Sequence, residues 1–182
     1  AKDTDRTYLA SIDCVHCAVN ELRTSPNSKW FSHKFHGPGF SYEIAIDIHD
    51  DRCVWVSGPY PASSHDITIF RGGTSDSKKK VKNEANWKQD SLYFKVPKNK
   101  RLIGDSGYEG EPSKISTTME DHTPEVKEFF ARAKSRHETF NTRLKFFGIL
   151  SGRFRHGKGE DDKKKLHKMC FEAACVLVQY SI

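Results

Sequence analysis

Tyr8-Leu9-Ala10-Ser11-Ile12-Asp13 is a short apolar run that closes on a carboxylate, and Arg101-Leu102-Ile103-Gly104-Asp105 repeats the pattern later in the chain. A brief apolar run bounded by polar residues or glycine reads as a strand. Two strands that each end at an aspartate are therefore expected, with Asp13 to Asn20 as the exit of the first. Between them, Phe40 to His49 sets Tyr42, Ile44, Ile46 and Ile48 at every second position, the period of a half-buried strand. Arg52 to Ser57 reads as the next strand, and Asp50-Asp51 as the tight turn of an antiparallel hairpin. Gly58-Pro59-Tyr60-Pro61 breaks the pattern, and Ser63-Ser64-His65-Asp66 offers helix caps before Ile67-Thr68-Ile69-Phe70. The polar, lysine-rich stretch Ser75 to Asp90 reads as a solvated loop or short surface helix.

Two amphipathic helices finish the chain. In the first, from Thr123 to Leu150, Val126, Phe129, Phe130, Ala133, His137, Phe140, Leu144 and Phe147 recur at three- and four-residue steps. Glu138, Asn141 and Lys145 lie on a line beside that stripe, so a helix packed on the sheet would hold Glu138 at the border of the core. Gly148 or Gly152 is the expected stop. The second, roughly Lys163 to Tyr180, places Leu166, Met169, Cys170, Ala173, Ala174, Leu177 and Tyr180 on one face, which reads as core packing. Strands alternating with helices make this an α/β protein.

Composition narrows the function classes. The chain has 182 residues, enough for one domain with a sheet-centred core, and 36% of them are hydrophobic, including 12 phenylalanines. A net charge of +6 and a pI of 9.0 favour a polyanionic partner. No apolar stretch approaches the roughly 20 residues that span a bilayer, so no membrane role is expected. Ala1 opens the chain and the residues to Thr7 are polar, so an upstream segment is expected. Five cysteines, an odd number, point to a reducing compartment. Cys14-x-x-Cys17 with His16 between them could be half a zinc site, completed by His167 with Cys170 or by Cys175, but buried thiols are the commoner reading.

The motifs also fall in a familiar order. Ala10-Ser11-Ile12-Asp13 and His16 come first, then Lys34, Gly37-Pro38-Gly39 and Tyr42-Glu43. Trp55-Val56-Ser57-Gly58-Pro59, Ser64-His65-Asp66-Ile67 and Phe70-Arg71 follow. Gly104-Asp105-Ser106-Gly107-Tyr108-Glu109-Gly110, Arg136-His137-Glu138-Thr139-Phe140-Asn141, Arg143-Leu144-Lys145 and Arg153-Phe154-Arg155-His156 complete the series. From about Tyr8 to Gln179 the chain resembles the catalytic domain of the DDE superfamily endonucleases, specifically PIF/Harbinger-like transposases related to bacterial insertion-sequence transposases.

The resemblance implies a ribonuclease H-like fold, with a mixed sheet of about five strands flanked by helices, as a single catalytic domain over residues 1–182. It implies Asp13, Asp105 and Glu138 as catalytic residues and ligands of two Mg2+ ions, with Mn2+ able to substitute. Lys145 matches a signature of the bacterial relatives, whereas Lys134 and Ala131 stand where those relatives have arginine and tyrosine. DNA, both transposon ends and target, is the implied partner. A Myb-like DNA-binding protein, a second protomer and a nuclear location are implied as well.

The chemistry explains the residue types. Cleaving a phosphodiester needs an activated water or hydroxyl, charge neutralisation at phosphorus and help for the leaving oxygen, which two ions about 3.5–4 Å apart supply. Mg2+ takes oxygen ligands, one or two carboxylates per ion with water and phosphate completing the shell. Asp66 is a rival to Asp105 for the metal site; with His65 and Asn141 it is assigned a supporting role. Arg143, Lys145, Arg153, Arg155 and His156 lie on or just beyond the glutamate helix and are the expected phosphate contacts. The other lysine runs read as solvated faces. A domesticated, inactive relative that binds DNA or protein is the alternative.

Overall fold

The computed structural model describes residues 7–22, 27–73 and 87–180. Strand β1 does not stop at Asp13 but extends over Tyr8–Ala18. Strand β3 (Gly37–Asp47) runs antiparallel beside it and pairs with each residue from Ala10 to Ala18, which carries the extended backbone past the end of the apolar run. Asp13 therefore sits within a strand, opposite Ile44, and not at an exit. The parallel neighbour β5 (Arg101–Ile103) is shorter, and its pairing with β1 ends at Ser11↔Ile103.

Strand β4 (Cys53–Pro61) completes the expected hairpin and continues through Gly58-Pro59-Tyr60-Pro61, where a break was anticipated. A register shift opposite Ser41 to Glu43 absorbs the extra residue. β4 pairs only with β3, and an edge strand accepts proline because its outward face has no ladder to supply. Two-residue strands β2 (Phe31–Ser32), against the start of β3, and β6 (Ile115–Ser116), parallel to β5, are too short to leave a periodic signal. The main order is β4-β3-β1-β5-β6 in a sheet of six strands, antiparallel on one side of β1 and parallel on the other.

Helices α1 (Asp66–Phe70), α2 (Leu92–Lys95), α3 (Pro124–Lys145), α4 (Gly148–Ser151) and α5 (Glu160–Tyr180) flank the sheet. The two-residue period of β1 sorts the core. Ala10, Ile12 and Cys14 pack with Ile69, Phe70, Leu92 and Tyr108 under α1 and α2. Val15, Cys17 and Val19 pack with Phe140, Leu144, Phe171 and Val178 under α3 and α5. Cys14 and Cys17 thus face opposite sides of the sheet and cannot converge on one ion, which removes the zinc reading. The expected lysine-rich stretch lies largely outside the described residues.

α3 starts as the sequence indicates, with Thr123 as N-cap and Pro124 in the first turn, where a missing N–H costs nothing. Phe130, Ala133, His137, Phe140 and Leu144 form its buried stripe. It ends at Lys145, earlier than expected, and Gly148 opens α4, which Gly152 caps. α5 is rotated from the expected face. Lys163, His167, Phe171, Ala174, Cys175 and Val178 turn inward, while Met169, Leu177 and Tyr180 are exposed. Tyr42 sets this rotation: its ring stacks on Phe171 at 3.8 Å, and its hydroxyl lies 2.8 Å from His167 Nδ1.

Candidate metal centre

The parallel register brings the first two acids together. The last pair of β1 and β5 is Ser11↔Ile103, and Asp13 and Asp105 each stand two residues further on, level with one another. Asp105 caps the short 3-10 turn Ser106–Tyr108, where its Oδ1 accepts the Gly107 N–H at 2.9 Å. Asp66 enters from the first turn of α1. Asp13, Asp66 and Asp105 each offer an oxygen, and these atoms all lie within 4.8 Å of one another. Glycine at 107 permits this approach. A Cβ there would stand 2.8 Å from Asp66 Oδ2 and 3.0 Å from Asp105 Oδ1.

Helix α3 fixes the orientation of Asp13. His137 Nδ1 lies 3.0 Å from Ser11 Oγ, Asn141 Nδ2 donates to Asp13 Oδ2 at 3.0 Å, and Lys145 Nζ donates to His16 O at 2.5 Å and Leu150 O at 3.3 Å. Side chains four apart on one helix face thus meet successive positions of β1. Four helical residues advance about 6.0 Å and two strand residues about 6.6 Å, so the first two contacts keep step. The long lysine bridges the wider gap to His16. The other oxygen of Asp13 accepts the Cys14 N–H at 2.8 Å, so both carboxylate oxygens are held.

Electrostatics set the acids against one another. Burial is the largest influence on Asp13 and raises its pKa from 3.8 to about 6; Asp105 and Asp66 push the same way, while the Lys34 ammonium and the Cys14 N–H oppose. Asp66 is also raised, chiefly by burial, against the pull of Cys14, Lys34 and His65. Beneath the cluster, Cys14 Sγ contacts Tyr108 Oη at 3.3 Å, and burial holds the thiol well above its usual range. His137 is neutral, its pKa lowered to about 4 by burial.

The remaining expected residues take different places. Glu138 is exposed and outside the tight trio; it lines a small cavity of about 100 Å3 with Asp13, Asp105, Lys134 and His137. Asp66, assigned a supporting role from the sequence, is the third acid of the trio. His65 stands at the N-cap of α1 without a side-chain capping bond. Lys145, expected on phosphate, is directed inward to the carbonyls above, because helix α3 aims it along β1. Arg153, Arg155 and His156 are exposed around buried Phe154, and Arg143 is half-buried on α3. Two residues went unassigned in the sequence. Lys34 reaches the cluster from the β2–β3 hairpin and donates to Cys14 O at 3.3 Å. His137 reads as a stripe residue but bonds Ser11 beside the site. A basic residue just before Gly37-Pro38-Gly39 was the available signal for the first; nothing distinguished the second.

Three converging carboxylates, with no imidazole or thiolate among them, suit a hard divalent cation such as Mg2+ or Mn2+. The charge that burial penalises at Asp13, with a smaller push from Asp105 and Asp66, is what a cation would relieve. The strand order, the helices on both faces and the acids on β1 and just past β5 define a ribonuclease H-like α/β protein with a carboxylate cluster. The chain belongs to the DDE superfamily endonucleases, whose family model matches residues 12–179. Comparison with curated proteins and with solved structures gave no match. Among the described residues, no helix is long and apolar enough to cross a membrane.

Proposed function

We propose that this domain cleaves and transfers DNA phosphodiesters with divalent cations, two Mg2+ or Mn2+ ions, and that Asp13, Asp105 and Glu138 are its catalytic carboxylates. The observation that carries the reading is the gathering of Asp13, Asp66 and Asp105 in a member of an endonuclease family. Asp13 and Asp105 are shared ligands, Asp66 completes the inner side, and Glu138 faces them across the small cavity. Bound ions would activate a water or a 3′-hydroxyl, neutralise the phosphate and assist the leaving oxygen.

The chain's own groups prepare that chemistry. Asn141 and the Cys14 N–H aim the two oxygens of Asp13, and the Gly107 N–H aims Asp105. Lys34 puts a positive charge at the rim, where a phosphate would approach. Arg143, Arg153, Arg155 and His156 supply sequence-independent backbone contacts. The reading assigns the domain to the PIF/Harbinger-like branch, to the nucleus, and to work beside a Myb-like DNA-binding partner. An inactive, domesticated relative is the second reading, and the exposure of Glu138 outside the trio favours it.

Incubating the protein with duplex carrying terminal repeats, in Mg2+ or Mn2+, decides between them. Nicking and end joining are expected from the parent protein, with at least a hundredfold loss in Asp105→Ala and Glu138→Gln. A Glu138→Gln protein as active as its parent removes Glu138 from the centre. Cleavage that survives in Asp105→Ala removes the whole assignment.

A further inference from the structure

Two of the five cysteines come together where α5 packs on β4, the edge strand. Cys53 opens β4, and its backbone N–H donates to Gln179 Oε1 on α5 at 2.6 Å. Cys175 lies one turn before Gln179 on the same face of that helix, so the bond that seats Gln179 on Cys53 brings Cys175 to it as well. A hydrogen bond joins the two side chains, with the Cys175 thiol as donor and the Cys53 sulfur as acceptor. The Cys53 S–H itself is directed to Trp55 O at 3.6 Å. Both sulfurs line a cavity of about 360 Å3, together with Val56, Val176, Gln179 and Tyr180. Their surroundings drive the two thiols in opposite directions. Cys53 is drawn below its ordinary value, chiefly by the hydrogen bond from Cys175, which outweighs burial. Cys175 is raised by donating that bond and by burial, and the Glu172 carboxylate adds to the effect. The thiolate is the nucleophile, so only one member of the pair is prepared to attack.

We propose that Cys53 and Cys175 are a peroxide-reactive couple, in which Cys53 is oxidised first and Cys175 then closes a disulfide between β4 and α5. The Cys53 thiolate attacks the outer oxygen of a small hydroperoxide that enters by the cavity. An S–O bond forms, the O–O bond breaks, and the departing hydroxide or alkoxide takes up the thiol proton. The Cys175 sulfur then attacks the sulfenic sulfur of Cys53. The S–S bond forms, the S–O bond breaks, and the hydroxide that leaves carries off the Cys175 proton as water. Two electrons pass from the thiols to the peroxide, whose products are one water and one alcohol or second water. Thiol–disulfide exchange with a cellular dithiol or glutathione reverses the bond. While it lasts, it fastens the last helix to the edge of the sheet and keeps Cys53 from irreversible oxidation. Cys14 and Cys17 are enclosed in the core and are not part of this chemistry.

Hydrogen peroxide added to the chain in EDTA tests this, with free thiols then blocked by N-ethylmaleimide and unreduced peptides mapped by mass spectrometry. In the parent, two thiols should vanish together, and the segments bearing Cys53 and Cys175 should emerge as one linked species that dithiothreitol separates. In Cys175→Ser the sulfenic acid should persist on Cys53 and be captured by dimedone. Its formation should run about tenfold faster than at Cys170, the other part-exposed thiol. Cys53→Ser should give neither a linked species nor a dimedone adduct at Cys175. Thiols lost singly and without linkage in the parent overturn the inference. So does a bond that joins Cys53 or Cys175 to a different cysteine, or a Cys53 that reacts no faster than Cys170. The parent alone must show the linked species, so a variant that fails to fold does not spare the inference. With cations removed by EDTA, none of these outcomes depends on nuclease activity.

Discussion

Replacing Asp13 by Asn should make the metal-free protein more stable at neutral pH, because the native fold holds this carboxyl where its charge is unwelcome. Its pKa rises from 3.8 to about 6, mainly through burial. A folded state that binds a proton more tightly than the unfolded chain loses stability as pH rises between those two values. The shift of about two units corresponds to roughly 3 kcal/mol, absent below pH 4 and fully expressed above pH 7. Asparagine has the same shape and no charge to strand. Its oxygen can still accept from the Cys14 N–H, and turning the Asn141 amide lets the currently unpartnered Asn141 Oδ1 accept from the new amide. Urea denaturation in EDTA at pH 4, 6 and 8 is the assay. The variant should match its parent at pH 4 and exceed it by about 3 kcal/mol at pH 8, or about 6–12 °C in Tm for a chain of this size. Comparing the two proteins at each pH removes titrations they share. Adding Mn2+ should stabilise the parent and leave the variant unmoved. A stability difference that does not change with pH, or a parent more stable at pH 8 without metal, refutes the reasoning.

Four further outcomes are expected. Gly107→Ala should weaken Mn2+ binding at least tenfold by calorimetry, since the added methyl would stand 2.8 Å from Asp66 Oδ2. Asn141→Ala should cost about 10–100-fold in the same affinity, the usual penalty for losing a group that orients a metal ligand. Lys145→Met should lower unfolding free energy by about 1–3 kcal/mol, because the His16 and Leu150 carbonyls lose their donor; the salt dependence of DNA binding should stay as it was. Arg155→Ala should do the reverse, reducing the slope of log K against log salt by about one with little change in stability.

The sequence exposes what periodicity records. The hairpin of β3 and β4, the short β5 and the buried stripe of α3 follow from spacing, whereas joining Asp13 to Asp105 took the family resemblance. It conceals what depends on neighbours. β1 runs on past Asp13 because β3 pairs with it, and no local signal in Cys14 to Ala18 announces that. Asp66 joins the cluster because Gly107, distant in sequence, leaves room, a relation between the start of α1 and the turn after β5 that neither segment encodes alone. α5 has two apolar faces, and period cannot choose between them. The choice falls to Tyr42 on another element, and the inward face includes Lys163 and His167, which look like surface residues in the sequence.

The three acids of the trio arrive from β1, α1 and the turn after β5, which are adjacent only once β5 has slotted alongside β1. A nascent chain that has emerged as far as α1 owns Asp13 and Asp66 but lacks the third ligand and the glycine beside it. A cation that needs all three acids would therefore bind only the finished molecule, and would favour completion over every shorter intermediate.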